Sequence, residues 1–255
     1  MQRRSFIAAL GVGALGSLAG CQTAVGSVAL PNVPETTLQE GGWEQRSETK
    51  DETVFEEEYS VVTVEAVASS VTYADAALRE QVQTDTLDTL DTDLALFSAT
   101  RVDMAPSVDE LGPVQTEVKN RIRDNAIAEL RSRMEAAGIT DIEQTETGSL
   151  DLSGDKTADL TELSGVFPVQ DIEFPVREDT TLTLEGTDLA VDAVLAVWAV
   201  DGNYLVAGGA YPAENFSRVT DTDLSDAISV TIDVDLGLTP TAYRDELLEL
   251  VTNVT

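Results

Sequence analysis

The chain has 255 residues, with 47 Asp plus Glu against 15 Lys plus Arg and no His, for a formal net charge of −32. That balance excludes a phosphate-gripping nucleic-acid binder, because such proteins neutralise phosphates with clustered Lys and Arg. With no His and a single Cys, the usual metal ligands, the His-based triad and the Cys–His pair are missing, so no metal and no cofactor are expected. A hydrophobic fraction of 42% still suffices for a globular core.

Residues 1–20 read as a removed export segment. Arg3 and Arg4 precede Ser5-Phe6-Ile7 and an uncharged apolar run to Ala19. The run is shorter than the ~20 residues that cross a bilayer, which favours a signal over a permanent span. Arg3-Arg4 with Phe6 resembles a twin-arginine signal, which routes folded proteins across the membrane. Leu18-Ala19-Gly20-Cys21 ends the run and resembles a lipoprotein lipobox, in which the cysteine becomes the lipidated first residue; Cys21 is the chain's one cysteine. The expected location is therefore the outer face of the cytoplasmic membrane, with the domain extracellular and held by lipid on Cys21. No polybasic patch assists the anchor: without Arg3 and Arg4, 13 cations face the same 47 acids. Gly11-Val12-Gly13-Ala14-Leu15-Gly16 matches G-x-G-x-x-G, but it lies inside this leader, out of the strand–turn–helix context a dinucleotide site needs.

Lys occurs only at Lys50, Lys119 and Lys156, while Asp, Glu and Thr are spread along the whole length. Dispersed acid of this kind keeps a protein soluble, but its self-repulsion opposes folding unless salt screens it; at molar ionic strength the Debye length is ~3 Å. The composition resembles that of a halophilic protein. The Asp-rich stretches Thr84–Asp93 and Asp221-Thr222-Asp223 with Asp226 do not fit the spacing of a calcium loop and read as solvated acidic surface.

Residues 21–42 contain Gly26, Pro31, Pro34, Gly41 and Gly42 without sustained periodicity and read as the lipidated Cys and a flexible tether. Residues 43–255 read as one domain. Glu56–Val67 is β-rich and predicts one long strand, Tyr73–Val82 a short helix, Thr84–Asp93 an exposed connection, and Leu94–Met104 a strand ended by Pro106. Pro113–Ala137 is the clearest helix, with Val114, Val118, Ile122, Ala126, Leu130, Met134 and Ala137 at helical spacing and Gly138 just beyond. It carries Lys119, Arg121, Arg123, Arg131 and Arg133. Glu117–Arg121 and Glu129–Arg133 stand at i,i+4, so local pairing is a better reading of these cations than an anion-binding face.

Beyond Gly138, Asp141–Leu152, Leu160–Val176 and Thr181–Val191 show stretches of alternation, the second broken by Pro168 and Pro175. Ala193–Val200 and Tyr204–Tyr211 are almost continuously apolar and meet at Asp201-Gly202-Asn203, which predicts a hairpin of central strands covered on both faces. Trp198, Tyr204 and Tyr211 fit core positions better than a ligand pocket. Ser229–Asp235 predicts a further strand and Pro240–Val251 an amphipathic helix. The sum is an α+β fold: a mostly antiparallel sheet, one long packed helix and one or two shorter ones.

Phe97-Ser98-Ala99-Thr100-Arg101-Val102 and Val206-Ala207-Gly208-Gly209-Ala210-Tyr211-Pro212, behind the export signal and lipobox, resemble an uncharacterised family of haloarchaeal surface lipoproteins of unknown function. The resemblance implies a fold and a location and supplies no activity. Ser153-Gly154-Asp155-Lys156 matches S-x-x-K, but it has no S-D-N or K-T-G partner and sits where a turn is expected. Asn215-Phe216-Ser217 and Asn253-Val254-Thr255 fit the glycosylation sequon, with Asn215 the better placed. The expected role is a non-enzymatic, lipid-anchored binding or accessory domain, with a surface protein as its partner beside the membrane. The alternatives are a carboxylate-dependent hydrolase of envelope glycans, marked by a carboxyl of raised pKa in a cleft, and a structural envelope component.

Overall fold

The computed structural model describes residues 25–59, 62–154, 156–177, 180–225 and 228–255. Arg3, Arg4, Phe6, Leu18, Ala19, Gly20 and Cys21 lie outside the described residues. In chain order the elements are α1 (Glu35–Glu40), β1 (Trp43–Tyr59), β2 (Val62–Asp75), α2 (Ala76–Asp85), β3 (Leu96–Ala105), α3 (Gln115–Ala136), β4 (Thr140–Leu152), β5 (Lys156–Pro168), β6 (Ile172–Arg177), β7 (Thr180–Leu184), β8 (Asp188–Val200), β9 (Asn203–Pro212), β10 (Ser217–Ser225), β11 (Ile228–Asp235) and α4 (Pro240–Thr252).

Seven strands form one sheet in the order β1-β2-β3-β9-β8-β5-β4, with every neighbouring pair antiparallel. The hairpins β6–β7 and β10–β11 are separate two-stranded sheets. At the centre, β8 and β9 meet at Asp201 and Gly202, whose φ values of 47° and 80° supply the left-handed pair that a two-residue hairpin turn requires. Helix α3 lies on one face, where Val118, Ile122, Leu130 and Met134 pack with Leu195, Tyr204 and Val206. On the other face, Leu78 and Val82 of α2 and Leu247, Leu250 and Val251 of α4 pack with Trp198, Leu205 and Tyr211, and the two hairpins add Ile172, Phe174 and Val234. This double covering explains the unbroken apolar runs of β8 and β9: side chains of both parities are buried. Trp198, Tyr204 and Tyr211 are core residues, 4%, 1% and 3% exposed.

Gly209 shows how tightly the centre is built. A Cβ there would run into the backbone carbonyl oxygen of Leu96 and crowd Leu247 of α4, so the glycine lets β3, β9 and α4 close on one another.

The structure corrects several expectations. The supposed tether is docked from residue 25 onward. Val28, Val33 and Leu38 are buried, and Val28 N–H donates to Asp51 Oδ1 at 2.7 Å while Ser69 Oγ donates to the Val28 carbonyl at 2.9 Å. Asn32 and Thr255 exchange backbone hydrogen bonds of 2.7 and 3.0 Å. The Pro and Gly content that reads as flexibility serves a docked strap, irregular over residues 25–34 and helical at α1, which Pro34 and Gly41 bound.

Glu56–Val67 is not one strand but the end of β1 and the start of β2, a hairpin whose register pairs Tyr59 with Val62. The first ten residues of β1 carried no signal because, after the buried Trp43, Glu44 to Thr53 are exposed at the sheet edge. The helix expected from Tyr73 starts three residues later, since β2 runs to Asp75, whose Oδ1 then accepts the Leu78 N–H at 2.8 Å as the N-cap. Leu160–Val176 and Thr181–Val191 each divide between the large sheet and the β6–β7 hairpin. Strand β10, polar and paired only with β11, has no apolar alternation to announce it.

Candidate functional site

On the side of the sheet that α3 covers, the inward positions of β2 read Val64, Ala66, Ala68 and then Ser70 and Thr72, and those of β3 read Met104, Val102 and then Thr100 and Ser98. The antiparallel register sets Ser70 opposite Thr100 and Thr72 opposite Ser98, and on the other side of β3 it sets Thr100 opposite Val206 and Ser98 opposite Gly208. An apolar carpet thus gives way to a block of four hydroxyls. Above it, α3 presents Asn125, Ala126 and Glu129 where large apolar side chains would close a core. Small residues below and above leave a cavity of about 420 Å³, within the ~300–1,000 Å³ typical of small-molecule sites.

Its floor holds Ser70, Ser98 and Thr100; its walls are Val54, Ile122, Leu130, Leu195 and Val206; Glu52 and Glu129, both exposed, stand at the rim. Arg133 closes one end. Its Nε donates to Glu129 Oε1 at 2.8 Å and its Nη1 to Thr72 Oγ1 at 3.0 Å, so its charge is already matched and its position fixed by the sheet.

The other cations of α3 are also used within the chain, though mostly not along the helix. Of the two expected local pairs, Glu129–Arg133 forms, while Arg121 reaches instead to Glu57 of β1 at 2.6 Å. Lys119 pairs with Asp159 of β5 at 2.6 Å, and Arg131 Nη1 donates to the Ile142 carbonyl at 2.7 Å. The acids of neighbouring strands lie within reach of a helix laid across them, which helix periodicity alone cannot show.

Among the described residues two carboxyls are pushed upward, and neither lines the cavity. Burial raises Asp75 to about 6, with Glu246 adding to the effect and the Leu78 N–H working against it. Glu246 itself accepts the Trp43 indole N–H at 2.7 Å. Burial also raises Asp192, with Glu162 contributing and Arg244 opposing; Arg244 pairs with Glu162 at 2.6 Å. Both carboxyls sit on the α4 side of the sheet, where Asp75 serves as a helix cap.

Ser153 and Gly154 form an exposed turn between β4 and β5, with Gly154 at φ 75°, and Lys156 opens β5, so the S-x-x-K spacing has no helix start to activate a serine. Asp91 and Asp93 bind Arg79 and Arg46 at 2.6 and 3.0 Å, and Asp221 accepts Thr231 Oγ1 at 2.6 Å. Among the described residues no group of three or more acids or Cys is placed to hold a metal, and no helix is long and apolar enough to cross a membrane. Asn215 is exposed, but its amide bridges Asp235 Oδ1 at 2.7 Å and the Leu238 N–H at 2.8 Å. Asn253 donates to the Glu249 carbonyl at 2.8 Å.

Sequence reasoning missed the hydroxyl block. Its signal was present: at matched positions of two neighbouring strands, the parity that is otherwise apolar turns to Ser and Thr.

Residues 30–255 match the model of a family described as a domain of unknown function, DUF6517. No curated protein and no solved structure matches the chain.

Proposed function

Because the chain belongs to the DUF6517 family, whose description assigns no activity, we propose its role from its own residues: a lipid-anchored binding domain whose ligand site is the cavity beneath α3. Cys21 would hold it on the outer face of the cytoplasmic membrane in a high-salt environment, as an accessory to a surface protein. The anchor is supported by Arg3-Arg4 with Phe6 and by Leu18-Ala19-Gly20-Cys21; the salt adaptation is supported by the net charge of −32. One observation carries the binding reading. Some 420 Å³ persists between a 22-residue helix and the centre of a seven-stranded sheet. The space is open to solvent at the Glu52 and Glu129 rim, so its hydrocarbon walls, Val54, Ile122, Leu130, Leu195 and Val206, stand as concave apolar surface that a small molecule can cover. The hydrolase alternative draws no support from the cavity, because among the described residues the carboxyls of raised pKa, Asp75 and Asp192, lie across the sheet from it.

The test uses the full chain carrying Cys21→Ser, free of detergent in molar KCl, titrated with the neutral fluorophore N-phenyl-1-naphthylamine. Saturable one-to-one enhancement is expected. It should be lost in Ala126→Phe and in Thr100→Phe, two fillings from opposite walls, while circular dichroism stays unchanged. No binding, or equal binding by both folded variants, overturns the reading.

A further inference from the structure

Resting on the cavity as a binding site, we infer the class of molecule it takes: uncharged, largely apolar, and carrying a hydroxyl or carbonyl oxygen at one end. Apart from Arg133 at one end, whose charge is matched by Glu129, the polar groups inside the rim are neutral. Ser70, Ser98 and Thr100 each offer one O–H donor and acceptor lone pairs, which suit an alcohol or carbonyl oxygen and give a full charge nothing to pair with. They are also gathered at one place. Ser70 and Thr100 are register partners, with Cβ atoms roughly 4.5–5.5 Å apart, and Ser98 follows on the same face of β3. Val54, Ile122, Leu130, Leu195 and Val206 give hydrocarbon walls, and Asn125 adds a neutral amide from α3. Among the described residues, Thr72 is the one member of the hydroxyl block engaged by another side chain, that of Arg133.

Charge excludes the other classes. An anion would lose its water among hydroxyls and hydrocarbon, with the like-charged Glu52 and Glu129 at the rim. The guanidinium it would seek, that of Arg133, is already bound to Glu129 and Thr72. A cation fares no better. Glu129 is committed to Arg133, and Glu52 stands exposed at the rim, where solvent screens its attraction, so the ammonium would be stripped of water against hydroxyls and hydrocarbon.

Three probes sharing a ten-carbon tail separate the classes: 1-decanol, decanoate and decyltrimethylammonium, each displacing N-phenyl-1-naphthylamine from the full Cys21→Ser chain in molar KCl. Decanol is expected to displace at a concentration at least tenfold below either charged probe. The double variant Ser70→Ala with Thr100→Val keeps the shape and removes two hydroxyls. It should weaken decanol about tenfold more than it changes the fluorophore's own affinity, a contrast that general loosening of the fold would not produce. Equal or better displacement by decanoate or the ammonium overturns the ligand class while leaving the cavity a binding site. So does a double variant that binds decanol as before. Failure of the fluorophore to bind at all overturns both.

Discussion

Arg133 Nη1 donates to Thr72 Oγ1 at 3.0 Å across 61 residues of chain, tying the last turns of α3 to the second strand of the sheet. The bond holds the roof of the cavity over its floor. Arg133→Met keeps the apolar stem and removes both the bond and the Glu129 pair. A loss of about 1 kcal/mol in urea denaturation is expected, since the side chain is partly exposed and the pair with Glu129 lies at the surface. Probe affinity should fall with it. Arg123→Met removes only a contact with the adjacent Asp124 and should leave both unchanged.

The docked strap depends on Asp51. This residue stands at φ 56° in an irregularity of β1 and accepts the Val28 N–H at 2.7 Å and the Ser27 hydroxyl at 3.2 Å. Asp51→Ala loses the acceptor and places a Cβ residue without a compensating side-chain bond in the left-handed region, at a cost of about 2 kcal/mol. Hydrogen exchange at the Val28 amide should accelerate. Asp51→Asn retains an acceptor oxygen and tolerates the conformation, so it should fall between the two.

Asp75 makes stability depend on pH in a definite direction. Its carboxyl holds a proton more tightly when folded, at about 6, than its ordinary value of 3.8 in the unfolded chain. Its contribution is therefore complete below about 3.8 and is lost as pH rises through about 6. Asp75→Asn keeps the cap to Leu78 and cannot ionise beside Glu246. Relative to the wild type, the variant should be near neutral at pH 4 and more stable at pH 7, by on the order of 2 kcal/mol. Denaturation curves at the two pH values check this; the same difference at both would contradict it.

Salt should govern folding as a whole. Forty-seven acids against 15 cations repel one another over a Debye length of ~10 Å at 0.1 M, but over only ~3 Å at 1 M. The thermal midpoint is expected to fall steadily as KCl is lowered from molar to 0.1 M. A midpoint indifferent to salt would contradict the proposed adaptation.

The elements legible in the sequence were those whose burial is one-sided or complete. The stripe from Val118 to Met134 announces α3, and the apolar runs around Asp201-Gly202 announce β8 and β9. What stayed hidden was set by tertiary pairing. Glu44 to Thr53 form half of an edge strand with no buried side chain, held by backbone bonds to β2. The strap at Val28 depends on Asp51 and Ser69, more than twenty and forty residues away. The cavity is a further case: Ser70 and Thr100 are unremarkable polar residues singly and come to line one cavity only through their register beneath Ala126.

Native mass spectrometry of the Cys21→Ser chain recovered from its host's medium, without detergent, tests the cavity as the functional site most directly. A one-to-one complex with a neutral, apolar small molecule is expected, absent from folded Ala126→Phe. A bare chain, or an adduct retained equally by the filled variant, would contradict it.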